Sequence, residues 1–311
     1  MKTPDQKLKI VFFGTGPVSR LCLEGIVSHF DIEAIITKPD AVSPHGKPHP
    51  TPVKDWAGEH QVPLHQPATE AELAALTTAG SFESPVGLVV DYGFLIPKSV
   101  IEAFPFGIVN SHFSRLPEWR GADPITFSVL SGQTVTGVSL MVIVPALDEG
   151  DLIATADYKI PAGTTTQSLT LALSELSNRL LIENVPAYVD GKIKPMPQNQ
   201  ALTPTYSRKL TKADGIMDWT KPAVVLEREI RAYLGWPGSR TAIAGSDVTV
   251  TSAHIAPAEE QSQKPAGTAY KTSKGNLAVA TGTSALIVDR LKPAGKRDMP
   301  ARDFLAGHPL V

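Results

Sequence analysis

The sequence predicts an α/β chain in which a mainly parallel sheet domain is followed by a smaller β-barrel domain. Three observations carry this. Short apolar runs alternate with helical patterns as far as residue 190, the mark of strands covered on both faces by helices. Composition then shifts over 190–206, D-G-K-I-K-P-M-P-Q-N-Q-A-L-T-P-T-Y, where three prolines and two glutamines leave no apolar period and predict a linker over 191–206. Beyond it lie short alternating segments separated by glycine and polar turns, the pattern of a small barrel.

Taken in order, L-K-I-V-F-F-G (8–14) reads as a strand, and Pro17 opens a helix through Ser28 at the first-turn position where proline is tolerated. I-E-A-I-I-T (32–37) is a second buried strand. Residues 38–53 hold five prolines and are expected to form no regular element. A helical pattern near 54–59, strand V-P-L-H (62–65), a helix over 69–78 and strand V-G-L-V-V-D (86–91) follow. Then come a short helix (98–103), strand G-I-V-N-S-H (107–112), a helix near 123–131, strands near 136–144 and 152–160, and a long helix (166–189). Ligands of such sheets bind beyond the carboxyl ends of the strands, which puts loops 91–97 and 111–121 at the site. The second domain opens with a helix (222–233), followed by S-R-T-A-I-A, D-V-T-V-T-S-A, G-T-A-Y, L-A-V-A and A-L-I-V-D-R-L as strands.

Length and composition set the class. At 311 residues, 42% hydrophobic and 19% charged, the chain has room for two cores and an ordinary globular balance. No apolar run approaches the ~18 to 20 residues that span a bilayer. The N-terminus runs into a strand with no signal-peptide pattern, and the single cysteine, Cys22, fits a reducing compartment. The expected location is the cytoplasm. Residues 1–190 carry 12 Lys and Arg against 21 Asp and Glu, a balance of −9, whereas 191–311 carry 17 against 10, a balance of +7. An acidic body with a basic tail is what a polyanion-binding appendage looks like.

G-T-G-P-V-S (14–19) has Ser19 where a dinucleotide fingerprint needs its third glycine, which argues against a nicotinamide cofactor. The helix start after Gly16 remains a seat for a substrate phosphate or carboxylate. Asn110, His112 and Asp148 are the stronger set. An amide donates to an oxygen gaining negative charge, an imidazole moves a proton near neutral pH, and a carboxylate fixes the imidazole's tautomer. No Ser, Cys or Lys nucleophile has a place among them, so direct acyl or formyl transfer is expected.

The setting N-S-H-F-S-R-L-P-E-W-R-G-A-D-P-I (110–125), followed by L-D-E-G-D (147–151), resembles the signature of the folate-dependent formyltransferases. The resemblance to the branch acting on methionyl-tRNA runs nearly the whole chain. It includes V-F-F-G-T-G (11–16), I-T-K-P-D (36–40), T-P-V-K (51–54), D-Y-G-F-L-I-P (91–97) and T-G-V-S-L-M (136–141). In the tail it includes P-T-Y-S-R-K-L (204–210), M-D-W (217–219), I-R-A-Y-L-G-W-P (230–237) and L-K-P-A-G-K-R-D-M (291–299).

The resemblance implies a Rossmann-like catalytic domain (1–190), a linker (191–206) and an OB-like C-terminal domain (207–311) that assists tRNA binding. The implied reaction passes the formyl group of 10-formyltetrahydrofolate to the amino group of methionine on initiator methionyl-tRNA. The alternative acceptor is a small amine, such as an amino sugar nucleotide or glycinamide ribonucleotide. Asn110 and His112 would hold the formyl oxygen and Asp148 would support the proton. Ser114, Arg115, Leu116 and Pro117, with Gly93, Phe94, Leu95 and Ile96, would line the folate pocket. Lys47, Arg208, Lys209 and Lys212 would face tRNA. No metal, membrane or obligatory protein partner is implied. Arg115 and Asp123 depart from the commoner Leu and Ala, the 38–53 loop is poor in cations, and Trp119 and Arg120 read equally as a packing pair or as part of the rim.

Overall fold

In the computed structural model, which describes residues 7–42, 48–78, 80–261 and 263–310, the apolar run at 8–14 is strand β1 (Leu8–Gly14), buried nearly throughout. Helix α1 (Pro17–Ile26) and strand β2 (Phe30–Ile36) follow. Next come β3 (Ala41–Val42), β4 (Pro48–His49), α2 (Pro52–His60), β5 (Leu64–His65) and α3 (Glu70–Leu76). Strand β6 (Val86–Val90), α4 (Lys98–Ile101), β7 (Ile108–His112), β8 (Arg120–Gly121) and α5 (Pro124–Ser131) lead to β9 (Val135–Val142), β10 (Leu152–Lys159), α6 (Thr166–Val189) and β11 (Tyr206–Ser207).

The chain divides into two units. The first comprises Met1–Pro124, Val135–Lys159 and Thr170–Ser207; the second comprises Ile125–Thr134, Ile160–Leu169 and Arg208–Val311. The first is built on a seven-stranded sheet in the order β10-β9-β7-β6-β1-β2-β5. Strands β7, β6, β1, β2 and β5 run parallel, and β9 and β10 add an antiparallel edge. The sequence reflects the position of each strand: central V-G-L-V-V is wholly buried, while edge strand L-I-A-T-A-D-Y-K alternates with solvent along its second half, as a half-covered antiparallel strand does. Polar groups under α6 are matched within the core, where Ser111 and Ser177 hydroxyls meet at 2.7 Å.

The expectation of no regular structure through residue 53 is corrected. Helix α2 begins at Pro52, because proline at the first helical position forfeits no hydrogen bond and the Thr51 hydroxyl caps it by accepting from Lys54 N at 3.1 Å. The β3–β4 pair also forms a short ladder. The 191–206 stretch, expected as a linker, is hydrogen-bonded to the first unit. Met196 exchanges both backbone bonds with Leu152, Thr205 N donates to Pro117 O, and β11 pairs with β8.

The second unit holds α7 (Ala223–Ala232), β12 (Ser239–Ile243), β13 (Ser246–Ile255), β14 (Ala269–Lys271), β15 (Leu277–Ala280), β16 (Ala285–Pro293), β17 (Met299–Pro300) and α8 (Ala301–Gly307). Its antiparallel sheet runs β12-β13-β16-β15-β14, with β17 on β16. No β12–β14 ladder closes it among the described residues, so the OB-like sheet is a curled half-barrel. Leu226 and Ile230 of α7, Val248 and Val250 of β13, Leu286, Val288 and Leu291 of β16, and Phe304 of α8 share its core.

Candidate active site

Strand β7 sets the site. Asn110 and His112 alternate with Ser111, so they share one face, and Ser111 turns to the opposite side against α6. His112 is buried and Asn110 half-buried. The Asn110 amide makes no side-chain hydrogen bond among the described residues, which leaves its donors free for an incoming carbonyl.

His112 Nε2 lies 2.9 Å from the carbonyl oxygen of Trp119. A carbonyl only accepts, so Nε2 carries the hydrogen. The other nitrogen, Nδ1, faces the Asp148 carboxylate, with Oδ2 at 3.7 Å. That gap is too long for a direct hydrogen bond. Asp148 Oδ2 also accepts from Gly121 N at 2.7 Å.

Asp148 stands between β9 and β10 in a left-handed conformation, φ 51°, which costs a non-glycine residue roughly 1–2 kcal/mol. The following Gly150 is required by packing, since a Cβ there would meet Val142 O at 1.7 Å. Two side chains from elsewhere hold this turn. Gln198 Nε2 donates to Asp148 O at 2.7 Å and to Gly150 O at 3.1 Å. Arg120 donates to Glu149 Oε1 at 2.9 Å and to Gln198 Oε1 at 2.8 Å. Arg120 is therefore buried support for the turn. Sequence alone does not single out Gln198: one of two glutamines in a proline-rich stretch, it carries no signal of the turn it reaches.

Of the residues assigned to folate, Ser114 is buried with its hydroxyl donated to Glu118 O and its carbonyl accepting from Ser139 Oγ at 2.8 Å. Leu116 N donates to the same Ser139 oxygen at 3.1 Å, and the Leu116–Pro117 bond is cis. The Arg115 side chain crosses Gly137 to Asp157, Nε to Oδ1 2.9 Å. Gly93 has φ 75°. Phe94 and Leu95 are exposed, as are Val144 and Leu147 of the loop before Asp148, whereas Ile96 packs on the core beside Val100 and Phe104.

Asp91, Asp123 and Lys38 add charge at this end of the sheet. Although Asp91 keeps an exposed surface, protein atoms crowding its carboxyl, then the charge of Asp123, push it up to about 6, against a smaller opposing pull from Lys38. A Cβ on Gly16 would lie 2.4 Å from Asp91 Oδ2, so the start of α1, expected to seat a substrate anion, has the chain's own carboxylate beside it. The Lys38 ammonium sits 4.2 Å above the Phe94 ring in a cation–π contact.

Lys47 lies outside the described residues. Arg208 is committed to Asp214 by a two-pronged ion pair. That pair holds the Asp214 carboxyl well below its ordinary range. Lys209 and Lys212 are exposed and have no ion-pair partner among the described residues. No group of three or more His, Cys, Asp or Glu side chains able to hold a metal ion occurs among the described residues, and no helix described is long and apolar enough to cross a membrane.

The parallel sheet brings together an unpaired amide, an imidazole whose Nε2 carries the hydrogen and a turn-borne carboxylate, a set chemically able to polarise a carbonyl and move a proton, as a group transferase requires. The family model described as formyl transferase matches residues 8–185, and that described as formyl transferase, C-terminal domain, matches 209–309. The chain belongs to the formyl transferase family. It is 37% identical over 303 residues to the methionyl-tRNA formyltransferase of Roseiflexus castenholzii, covering 96% of each chain. It is 35% identical over 304 residues to that of Nitrosococcus oceani, covering 97% of this chain and 94% of the other. Among solved structures, the N-formyltransferase of Helicobacter canadensis in complex with folinic acid and dTDP-3-aminofucose superposes with a TM-score of 0.66 at 15% identity, covering 90% of this chain and 98% of that one. The sugar 3N-formyltransferase WlaRD gives 0.66 at 16% identity, over 94% and 100%; these likenesses are of fold.

Proposed function

We propose that the protein transfers a formyl group from 10-formyltetrahydrofolate to the α-amino group of methionine on initiator methionyl-tRNA, the formylation step of translation initiation. The observation that carries this is similarity to methionyl-tRNA formyltransferases across both units, at 35–37% identity over nearly the full chain. The two sugar enzymes described above are only 15% and 16% identical to this chain.

The residues present fit a folate donor. Exposed Phe94, Leu95, Val144 and Leu147 offer apolar surface to a flat ring, and Gly93 and Arg115 N offer main-chain groups, whereas Ser114 O, Leu116 N and Pro117 O are already hydrogen-bonded within the protein. Arg115, tied to Asp157, contributes through its backbone. When bound, the donor supplies an activated formyl carbon and a nitrogen leaving group. Asn110 donates to the formyl oxygen as charge develops there, an effect worth ~100 to 1000-fold per donor in other enzymes. His112 and Asp148, 3.7 Å apart, carry the proton from the attacking amine toward the leaving nitrogen. Holding both substrates on one surface supplies the rest by proximity. Lys209 and Lys212 serve tRNA phosphates, for which free cations are needed.

The test is incubation with 10-formyltetrahydrofolate and charged initiator tRNA, followed by assay of formyl-methionine. Formylation of an amino sugar nucleotide in place of the tRNA substrate would overturn the reading.

A further inference from the structure

Residues 191–206 are exposed or half-buried at every position but one, and the exception is a polar side chain, Gln198. Burying an amide is unfavourable unless its hydrogen bonds are made, so a segment with no apolar side chain in the core gains nothing by burying this residue for packing alone. Its three polar contacts all converge on one object. The amide nitrogen is shared between Asp148 O and Gly150 O, and the amide oxygen receives Arg120, whose other arm holds Glu149. Gln198 and Arg120 thus grip the backbone and side chain of the D-E-G turn from two sides. Neither touches the Asp148 carboxylate, which is left to Gly121 N and to the space beside His112.

Resting on the reading above, we infer that Gln198 is a positioning residue for formyl transfer. It holds Asp148 in its left-handed conformation, so that the carboxylate stays on the Nδ1 side of His112, 3.7 Å away. Glutamine suits the task because one planar amide both donates to two carbonyls and accepts from a guanidinium, whereas a glutamate has only acceptors and a methionine only length. The segment that joins the two family-matched regions thereby supplies an active-site support.

The experiment is steady-state and single-turnover formylation with Gln198→Met, Gln198→Glu and Asp148→Asn, singly and combined. The wild-type protein must first formylate methionyl-tRNA; its failure to do so would sink the proposed function rather than the role of Gln198. Both Gln198 variants keep the length of the side chain, and Gln198→Glu keeps the contact with Arg120, so one remains informative if the other fails to fold. The expected result is a loss of at least about tenfold in kcat for each, with KM for both substrates within about twofold. On the Asp148→Asn background the same change should cost almost nothing, because its effect passes through Asp148. A Gln198→Met variant with near-native kcat, or a loss that multiplies undiminished with that of Asp148→Asn, would overturn the inference.

Discussion

Two aspartates stand in short connecting segments, Asp148 between β9 and β10 of the first unit and Asp214 in a single 3-10 turn (Lys212–Gly215) of the second. Asp214 is saturated: Arg208 grips it with two nitrogens, while Thr211 N and Thr211 Oγ donate at 2.7 and 2.8 Å. Asp148 accepts one hydrogen bond on its carboxylate among the described residues, from Gly121 N, and has His112 at 3.7 Å. A carboxylate whose lone pairs are all filled organises its own turn. One with a lone pair to spare, beside a buried imidazole, can take part in proton movement, and its turn must then be held by something else. Gln198 and Arg120 do this for Asp148.

The comparison can be broken most severely at the imidazole. His112→Ala should lower turnover by about a thousandfold or more while tRNA affinity stays within a few-fold; near-normal turnover would remove the role given to the Asp148 side of the pair. Asn110→Ala should cost ~100 to 1000-fold in kcat, measured with saturating substrates. Next, Asp148→Asn should reduce kcat about 100-fold with little change in melting temperature. Asp214→Asn should do the reverse, lowering stability by about 1 kcal/mol or less because its pair is partly exposed, with kcat within about twofold. Since the Asp214 carboxyl is depressed in the fold, its contribution is present above the unfolded value of about 4 and is lost only in stronger acid. Reversing Lys209 and Lys212 to Glu should raise KM for tRNA far more than KM for folate, and equal effects would remove them from the RNA surface. The smallest effect is expected at Asp91, raised from 3.8 to about 6. A raised carboxyl destabilises the fold when ionised, so Asp91→Asn should raise the melting temperature slightly near neutral pH, a gain that fades as pH falls from about 6 to about 4.

The parts legible in the sequence were those written in local pattern. Apolar runs at 8–14 and 86–90 gave central strands because burial on both faces needs consecutive apolar residues. Asn110 and His112 were legible because strand alternation alone puts them on one face. What could not be read was set by distant pairing. Gln198 lies 50 residues from Asp148, and the side chain of Arg115 is drawn away to Asp157 by a partner 42 positions on. Arg208 looked like a free cation, yet Asp214 six residues later claims it. Charge counts cannot distinguish a cation on offer from one already spent.

The Trp119 carbonyl has a last consequence. With Nε2–H pinned to that oxygen, the His112 ring cannot accept at one nitrogen and release from the other. Any proton it takes enters at Nδ1 and departs from Nδ1. In the proposed reaction the imidazole is then a reservoir with a single door rather than a wire, so the amine that gives the proton and the nitrogen that receives it would use the same doorway, by turns.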